Sequence, residues 1–444
     1  MTVFRICIFL IVATTVILAE VWLATNPGSV TIFWGDHRID TSAALFLHFF
    51  IIFCLLSAFV YRAWVAAKRM PKQIRHRNFL GKQRRGYEAL SASLISLASG
   101  DSDNAMRHAK KASLLLDSSA SAELLTAQAA QLAGDTAKVH ETYHSLRQKP
   151  ETALLGLRGL MNEALRVGNH SEALRLANET YRLNPNADGL WLQRLELQIK
   201  KGRWSDAEET VVEAINRKQL SLKTGNRQRA AILYERACIA ERKSEKDLQL
   251  SLLDEAVKLE PGFIIATVKL AELLGLEGNV KRADKLIEKL WSKSPHPSLA
   301  AAYRAIKSDL DPLMQVKRIE GLASKNRRHF ESYLAIAEAA IVAKLWGEAR
   351  AQLKIVLEQG DPTSRVCRLM ANIEEGEFGN IDQSRYWLDR IASAELDEVW
   401  LCNNCGFQAS VWQACCKNCG DFDTLLWARP LRVVRLPDYQ DPSI

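Results

Sequence analysis

Gly100, Gly134, Gly168 and Gly202 stand 34 residues apart in an unbroken series. Each ends one stretch with helical apolar spacing and precedes another. A fixed period of this size marks a repeated supersecondary unit, which buries its apolar face only against its neighbours. The glycine is needed because a helix commonly ends on a left-handed residue, a conformation that side chains resist. Such a chain folds as a stack of helical hairpins. It offers surface for holding other molecules and has no reactive cleft of its own.

The spacing around each glycine supports this reading. Small residues follow at the fifth and twelfth positions, as in Ala105 and Ala112, or Ala207 and Ala214. They let two helices approach closely. Pro185, Pro261 and Pro295 fall five residues further on, where the second helix must stop. The second unit has Val139 at the first small position, a weaker match. An insertion of eight residues near Lys218–Gln228 shifts the frame, and the pattern resumes at Ala256 without its glycine. Gly278, Ala349 and Gly379 mark later units, and the stretch from Pro297 to Arg328 is degenerate. About nine helical pairs are expected between Gly86 and Leu396. Tyr143, Tyr181, Trp191, Trp204 and Tyr234 fall at helical spacing, as packing between helices requires. The pattern resembles the tetratricopeptide repeat (TPR). That resemblance implies an α-solenoid whose groove takes a peptide or a protein helix.

Composition matters here mainly for where the charge lies. The net charge is +8, yet Arg62 to Arg85 alone carries nine Lys and Arg and no acid. Taking +9 from +8 leaves about −1 for everything else, so the basicity does not mark a nucleic-acid face. It sits beside a hydrophobic run, Thr41 to Tyr61, and a second run spans about Phe4 to Ala24. Each is roughly the ~20 residues that cross a bilayer core. The predicted topology is a two-helix transmembrane hairpin over residues 1–61 with a short external loop, followed by a basic juxtamembrane linker, 62–85. Both termini and the repeats are then cytoplasmic. Asn26-Pro27-Gly28 signals a turn and Val30–Trp34 favours a strand. A cleaved leader is the competing reading of the first run, although no small-x-small cleavage site follows it. Glu20 and His48 lie inside these helices, and neither alone argues for a proton relay or a haem ligand. Cys54 reads as packing.

Five of the nine cysteines cluster at the C-terminus; Cys7, Cys54, Cys238 and Cys367 are scattered. This is not a secreted disulfide framework. Cys402-x-x-Cys405-Gly406 and Cys416-x-x-Cys419-Gly420 repeat one knuckle, with ten residues between Cys405 and Cys416. That spacing points to a four-thiolate tetrahedral site over residues 397–428, followed by a tail, 429–444. Cys415 makes the register ambiguous; Cys416 is assigned because it repeats the first knuckle. The metal is expected to be structural zinc, since four thiolates leave no open position for catalysis. Iron in a rubredoxin-like centre fits the same ligands, and a metal-free redox dithiol is the remaining alternative. Trp400, Phe407, Trp412, Phe422 and Trp427 supply the small apolar core.

The membrane hairpin with Pro27–Trp34 and Arg38–Ser42, the basic stretch, and the first repeats (Ala89-Leu90 through Gly100-Asp101, Ala127–Asp135, Glu151–Leu160) resemble the HemY family. These are bacterial inner-membrane proteins associated with haem biosynthesis. The knuckle, with Trp400 and Asp421-Phe-Asp423, resembles the C-terminal extension of alphaproteobacterial members. The resemblance implies a non-enzymatic scaffold supporting a late step of tetrapyrrole synthesis, with proteins of that pathway and membrane lipid as partners. No catalytic residue carries over. An unrelated flavin-dependent oxidase bears the same family name, but no G-x-G-x-x-G fingerprint is present here. A second resemblance is to the membrane-anchored TPR regulator of lipopolysaccharide assembly, an adaptor for a membrane protease. That protein has one membrane helix, and the two runs here favour HemY. A haem- or porphyrin-binding protein is a third reading, with His48, His108, His140 and His144 as the imidazoles to examine. Neither Cys-Pro nor C-x-x-C-H occurs, and no nucleophile triad or phosphate loop is visible.

Overall fold

The computed structural model describes residues 2–25, 28–35, 37–116 and 119–430. The turn signal at Asn26-Pro27 and the tail beyond residue 430 lie outside these. The chain divides into two compact units, residues 1–146 and 147–444.

In the first unit, α1 (Thr2–Thr25) leads to a β-hairpin of β1 (Ser29–Trp34) and β2 (His37–Ser42). The strands are antiparallel with Ile32 opposite Ile39, and Gly35 turns the chain with φ 59°. Helix α2 then runs from Ala43 to Ala98, 56 residues without interruption. Ser42 starts it by accepting the Leu45 amide on its hydroxyl, 3.4 Å. Its segment Ala43–Val65 is long and apolar enough to cross a membrane, with mean hydropathy 2.6 and none of it buried. In α1, Ala13–Trp22 forms a shorter apolar stretch. Residues 62–85 lie within α2, since Lys, Arg and Gln favour helix. The C-terminal part of α2 packs on α3 (Ser102–Leu115), and α4 (Ala120–Ala133) and α5 (Thr136–Gln148) follow. Ala105, Ala109 and Ala112 have no exposed surface, so the small residues do mark the close helix contacts.

The second unit continues the same device in helix pairs. These are α6 (Ala153–Arg166) with α7 (His170–Leu183), and α8 (Leu190–Lys200) with α9 (Trp204–Asn216). Next come α10 (Leu222–Arg242) with α11 (Lys246–Leu259), and α12 (Ile264–Leu276) with α13 (Val280–Trp291). The degenerate stretch still forms a pair, α14 (Pro297–Ala305) and α15 (Pro312–Ala323). The last are α16 (Phe330–Val342) with α17 (Trp346–Gln359), and α18 (Ser364–Phe378) with α19 (Ile381–Asp389). From α2 onward the described helices thus make nine consecutive hairpins.

Gly100, Gly134, Gly168, Gly202 and Gly278 all adopt left-handed φ between 67° and 78°. The next residue then donates back to a carbonyl five positions earlier, as in Asp135 N to Ala130 O, 2.9 Å. Two of the turns that lack glycine keep this geometry; the α14–α15 turn has no left-handed residue. Ser244 (φ 60°) and Lys344 (φ 58°) take the left-handed position, with Glu245 N to Ala240 O at 2.9 Å and Leu345 N to Ala340 O at 2.8 Å. Stacking of the hairpins buries Ala283, Ile287 and Trp291 almost completely. Arg365 ties α18 to α16 through Glu331 (2.8 Å) and Glu338 (2.7 Å). Its amide and Arg368 also hold Asp397, which fixes the segment leading out of α19.

Candidate metal centre

The C-terminal ribbon is a three-stranded sheet in the order β4-β3-β5, with β3 Val399–Cys402, β4 Gln408–Ala409 and β5 Leu425–Ala428. Its two knuckles are built alike. Cys402 N donates to Phe407 O at 2.9 Å, and Cys416 N to Asp421 O at 2.9 Å. Gly406 N returns to Cys402 O, 2.9 Å, and Gly420 N to Cys416 O, 2.8 Å. Both glycines are left-handed, φ 71° and 79°, where a Cβ would strain the turn. The pairing of Cys415 with Phe422 is the counterpart of Leu401 with Gln408. Cys415 therefore occupies the position of Leu401, and Cys416 that of Cys402.

The Sγ atoms of Cys402, Cys405, Cys416 and Cys419 all lie within 4.8 Å of one another. Cys402 and Cys419 are 3.8 Å apart, and Cys405 and Cys416 3.6 Å. A tetrahedral ion with metal–sulfur bonds of ~2.3 Å requires sulfur–sulfur spacings of about 3.8 Å, so the donor set fits a zinc-sized ion. The thiols differ electrically. Burial pushes Cys402 up, but the Thr424 hydroxyl and the amides of Cys405 and Asn404 outweigh it and bring the thiol down to about 6. The Asn418 side chain and the Phe407 amide lower Cys405. Cys419 is helped down by the Asp421 amide, yet burial and the crowding of Cys405, Cys416 and Cys402 push it up to about 12. Four thiolates this close repel one another until a cation offsets their charge. Among the described residues, this is the one group of three or more Cys, His, Asp or Glu placed to hold an ion.

Cys415 points elsewhere. It packs with the cluster of Leu195, Ile199, Ala207, Val211 and Ile232 on the repeats, and burial followed by the Glu235 charge pushes its thiol up to about 11. The whole ribbon lies against the repeats in this way. Trp412 meets Phe263 edge-on at 4.9 Å and Tyr234 at 5.4 Å between ring centres. Arg227 pairs with Asp423 at 2.9 Å, and the Ala414 amide reaches the Glu235 carboxylate at 3.4 Å. Burial raises the Glu235 carboxyl, against the pull of that amide and of Arg242. Trp204 faces Phe422 at 6.4 Å. At the other edge, the buried His296 ring packs against Trp427 at 4.3 Å, and the Trp427 indole donates to Glu398 at 2.9 Å. Helix α10, the start of α9 and the residues that cap α12 and α14 thus present side chains to the ribbon. A cavity of about 740 Å³ remains between them, walled by Phe263, Trp400, Trp412, Phe422 and Trp427.

The sequence assigned Tyr234 and Trp204 to packing between helices; both also serve as seats for the ribbon. It did not single out Arg227, Glu235, Phe263 or His296, because partners more than a hundred residues away leave no local pattern. The four imidazoles do not converge. His48 lies on α2, His108 on α3, and His140 and His144 stack on one face of α5, 5.3 Å between ring centres.

Comparison with known proteins found several similarities. A family model described as HemY protein N-terminus matches residues 28–134. The probable magnetosome protein Mms48 of Magnetospirillum gryphiswaldense is 26% identical over 439 residues, 96% of this chain and 94% of its own. A tetratricopeptide repeat protein from Parabacteroides merdae is 14% identical, covering 56% of this chain and 92% of that one, with a TM-score of 0.27. Yeast Tom70 is 13% identical, covering 75% of this chain and 92% of that one, with a TM-score of 0.29. The repeat assignment itself rests on the left-handed turns and buried small residues described above. Over its β-hairpin and first repeats, residues 28–134, the chain is thus similar to the HemY family, and the magnetosome relative aligns along nearly its whole length.

Proposed function

We propose that this protein is a non-enzymatic scaffold on the cytoplasmic face of a bacterial inner membrane. Its repeats hold proteins of the tetrapyrrole pathway close to the bilayer, where porphyrins partition. The observation that carries this reading is the continuity of α2. The same helix that contains the apolar segment Ala43–Val65 also forms the first helix of the repeats, with the basic run between them. A helix rises ~1.5 Å per residue, so α2 is about 84 Å long and its last turns stand clear of the membrane. The nine basic residues favour the inner leaflet and set the orientation.

The four thiolates, in this reading, hold structural zinc. The ion supplies positive charge among thiolates that otherwise repel, and its four sulfur ligands exclude a substrate position. A small ribbon of this kind folds only with its metal, so the ion also seats the aromatic contacts on α10 and α12.

The test is a deletion strain scored for porphyrin intermediates, with affinity purification of the full-length protein from membranes. Accumulated late intermediates and recovery of pathway enzymes support the proposal. Recovery of envelope-assembly proteins alone, with normal porphyrin levels, favours the adaptor for a membrane protease. A Soret band on adding haem, lost on His→Ala change, favours a haem-binding protein instead.

A further inference from the structure

Glu20 and His48 each lie about five residues inside the ends of α1 and α2 that face the β-hairpin. At ~1.5 Å rise per residue, both stand roughly 7 Å into their helices, at matching depth. The structure brings them together: Glu20 Oε1 and His48 Nε2 are 3.0 Å apart. His48 Nδ1 is 3.0 Å from the carbonyl oxygen of Ala44. A carbonyl only accepts, so Nδ1 carries a hydrogen. A hydrogen bond between Nε2 and Oε1 then requires one further proton between them. Whether it rests on the ring or on the carboxyl, the pair is electrically neutral. A neutral hydrogen-bonded pair is tolerated in a bilayer, whereas either group alone is not. Among the described residues, Arg38 and Asp40 also form a close charge pair, at 3.0 Å, but on β2, outside both helices.

We propose that Glu20 and His48 form a shared-proton site within the membrane that fastens α1 to α2. Helix α1 is then a permanent second span and not a removable leader. The amino terminus is placed on the same side as the repeats. This rests on the reading of Ala43–Val65 as a span.

The experiment uses the full-length chain with an N-terminal tag in native membranes, comparing wild type with Glu20→Leu, His48→Leu, the double leucine variant and the exchange E20H/H48E. Intact mass, the amount of membrane-extracted full-length chain and protease protection of the tag in sealed vesicles are measured. The expected result is that wild type retains residues 1–25, with the tag on the side of the repeats. Each single leucine change should lower the amount about fivefold, since it leaves one polar group unpaired in lipid. The double leucine and exchanged variants should return to within about twofold of wild type, because neither leaves a lone charge. Loss of α1 from a protein that stays membrane-bound overturns this proposal alone, as do single variants that accumulate like wild type. A wild-type chain found in the soluble fraction overturns the span as well.

Discussion

Arg227 on α10 and Asp423 in the ribbon are 2.9 Å apart, guanidinium Nε to carboxylate Oδ2, although 196 residues separate them. The two sides of this contact are unequal. Arg227 is half exposed, whereas the Asp423 side chain is only 11% exposed and burial raises its carboxyl above the usual range. Asp423 therefore depends on Arg227 more than Arg227 depends on it. Arg227→Met should destabilise the seated ribbon by about 2 kcal/mol, because a buried carboxylate is left without its partner. R227M/D423N should lose clearly less than that. Chemical unfolding followed by tryptophan fluorescence checks this, since Trp412 and Trp427 lie in the same interface. Equal losses in the single and double variants refute the pairing argument.

The cysteine geometry separates ligands from packing. Cys402→Ser or Cys419→Ser should abolish stoichiometric metal and make the amides of residues 399–428 exchange rapidly. The repeat helices should stay intact by circular dichroism. Cys415→Ser should keep one metal per chain and cost only about 1 kcal/mol, the loss of a small packed group. Elemental analysis of the purified proteins decides it. Metal lost from the Cys415 variant, or none in wild type, contradicts the assignment.

Two left-handed turns without glycine offer a gain. Ser244 and Lys344 hold left-handed φ that a side chain resists. Ser244→Gly and Lys344→Gly should each stabilise by about 0.5–1 kcal/mol. Gly202→Ala, in the equivalent position, should cost roughly 1 kcal/mol. Urea midpoints at unchanged slope measure all three. A destabilised Ser244→Gly protein shows that the turn is held by something other than backbone preference.

His296 makes the unit acid-sensitive. Its Nδ1 accepts the Ser298 amide at 3.1 Å and its ring is 1% exposed, so it folds as the neutral form. Burial, and then the Arg365 charge, depress its pKa from 6.5 to about 4. The unfolded chain binds a proton below about 6.5 that the folded chain takes up only near 4. The stability contribution is therefore complete above pH 6.5 and is lost as pH falls from there to about 4, by up to roughly 1.4 kcal/mol per pH unit. His296→Phe should flatten that slope between pH 7 and 5. Melting temperatures of metal-loaded wild type and variant across the range test it, and parallel profiles count against it.

Much of this architecture was legible in the chain because it is written in short-range spacing. The interval between Gly100 and Gly202, the alanines buried between paired helices and the two C-x-x-C-G knuckles each act within a few turns of backbone. The missing glycine before Ala256 and the degenerate stretch around α14 did not prevent pairing, since Ser244 can bear modest backbone strain and apolar burial repays it. The sequence also placed Glu20 and His48 in apolar helices, where each looked incidental.

Sequence alone determined the units: helical hairpins with a left-handed turn, an apolar helix beside a basic run, and a knuckle with four sulfur donors. Only the tertiary structure decided that Trp412 seats between Tyr234 and Phe263, that Cys415 faces the repeats, and that Glu20 meets His48. The reason is physical. Backbone conformation and metal geometry are set by neighbours along the chain, while a contact between distant residues depends on which surfaces remain apolar or charged after every local unit has formed.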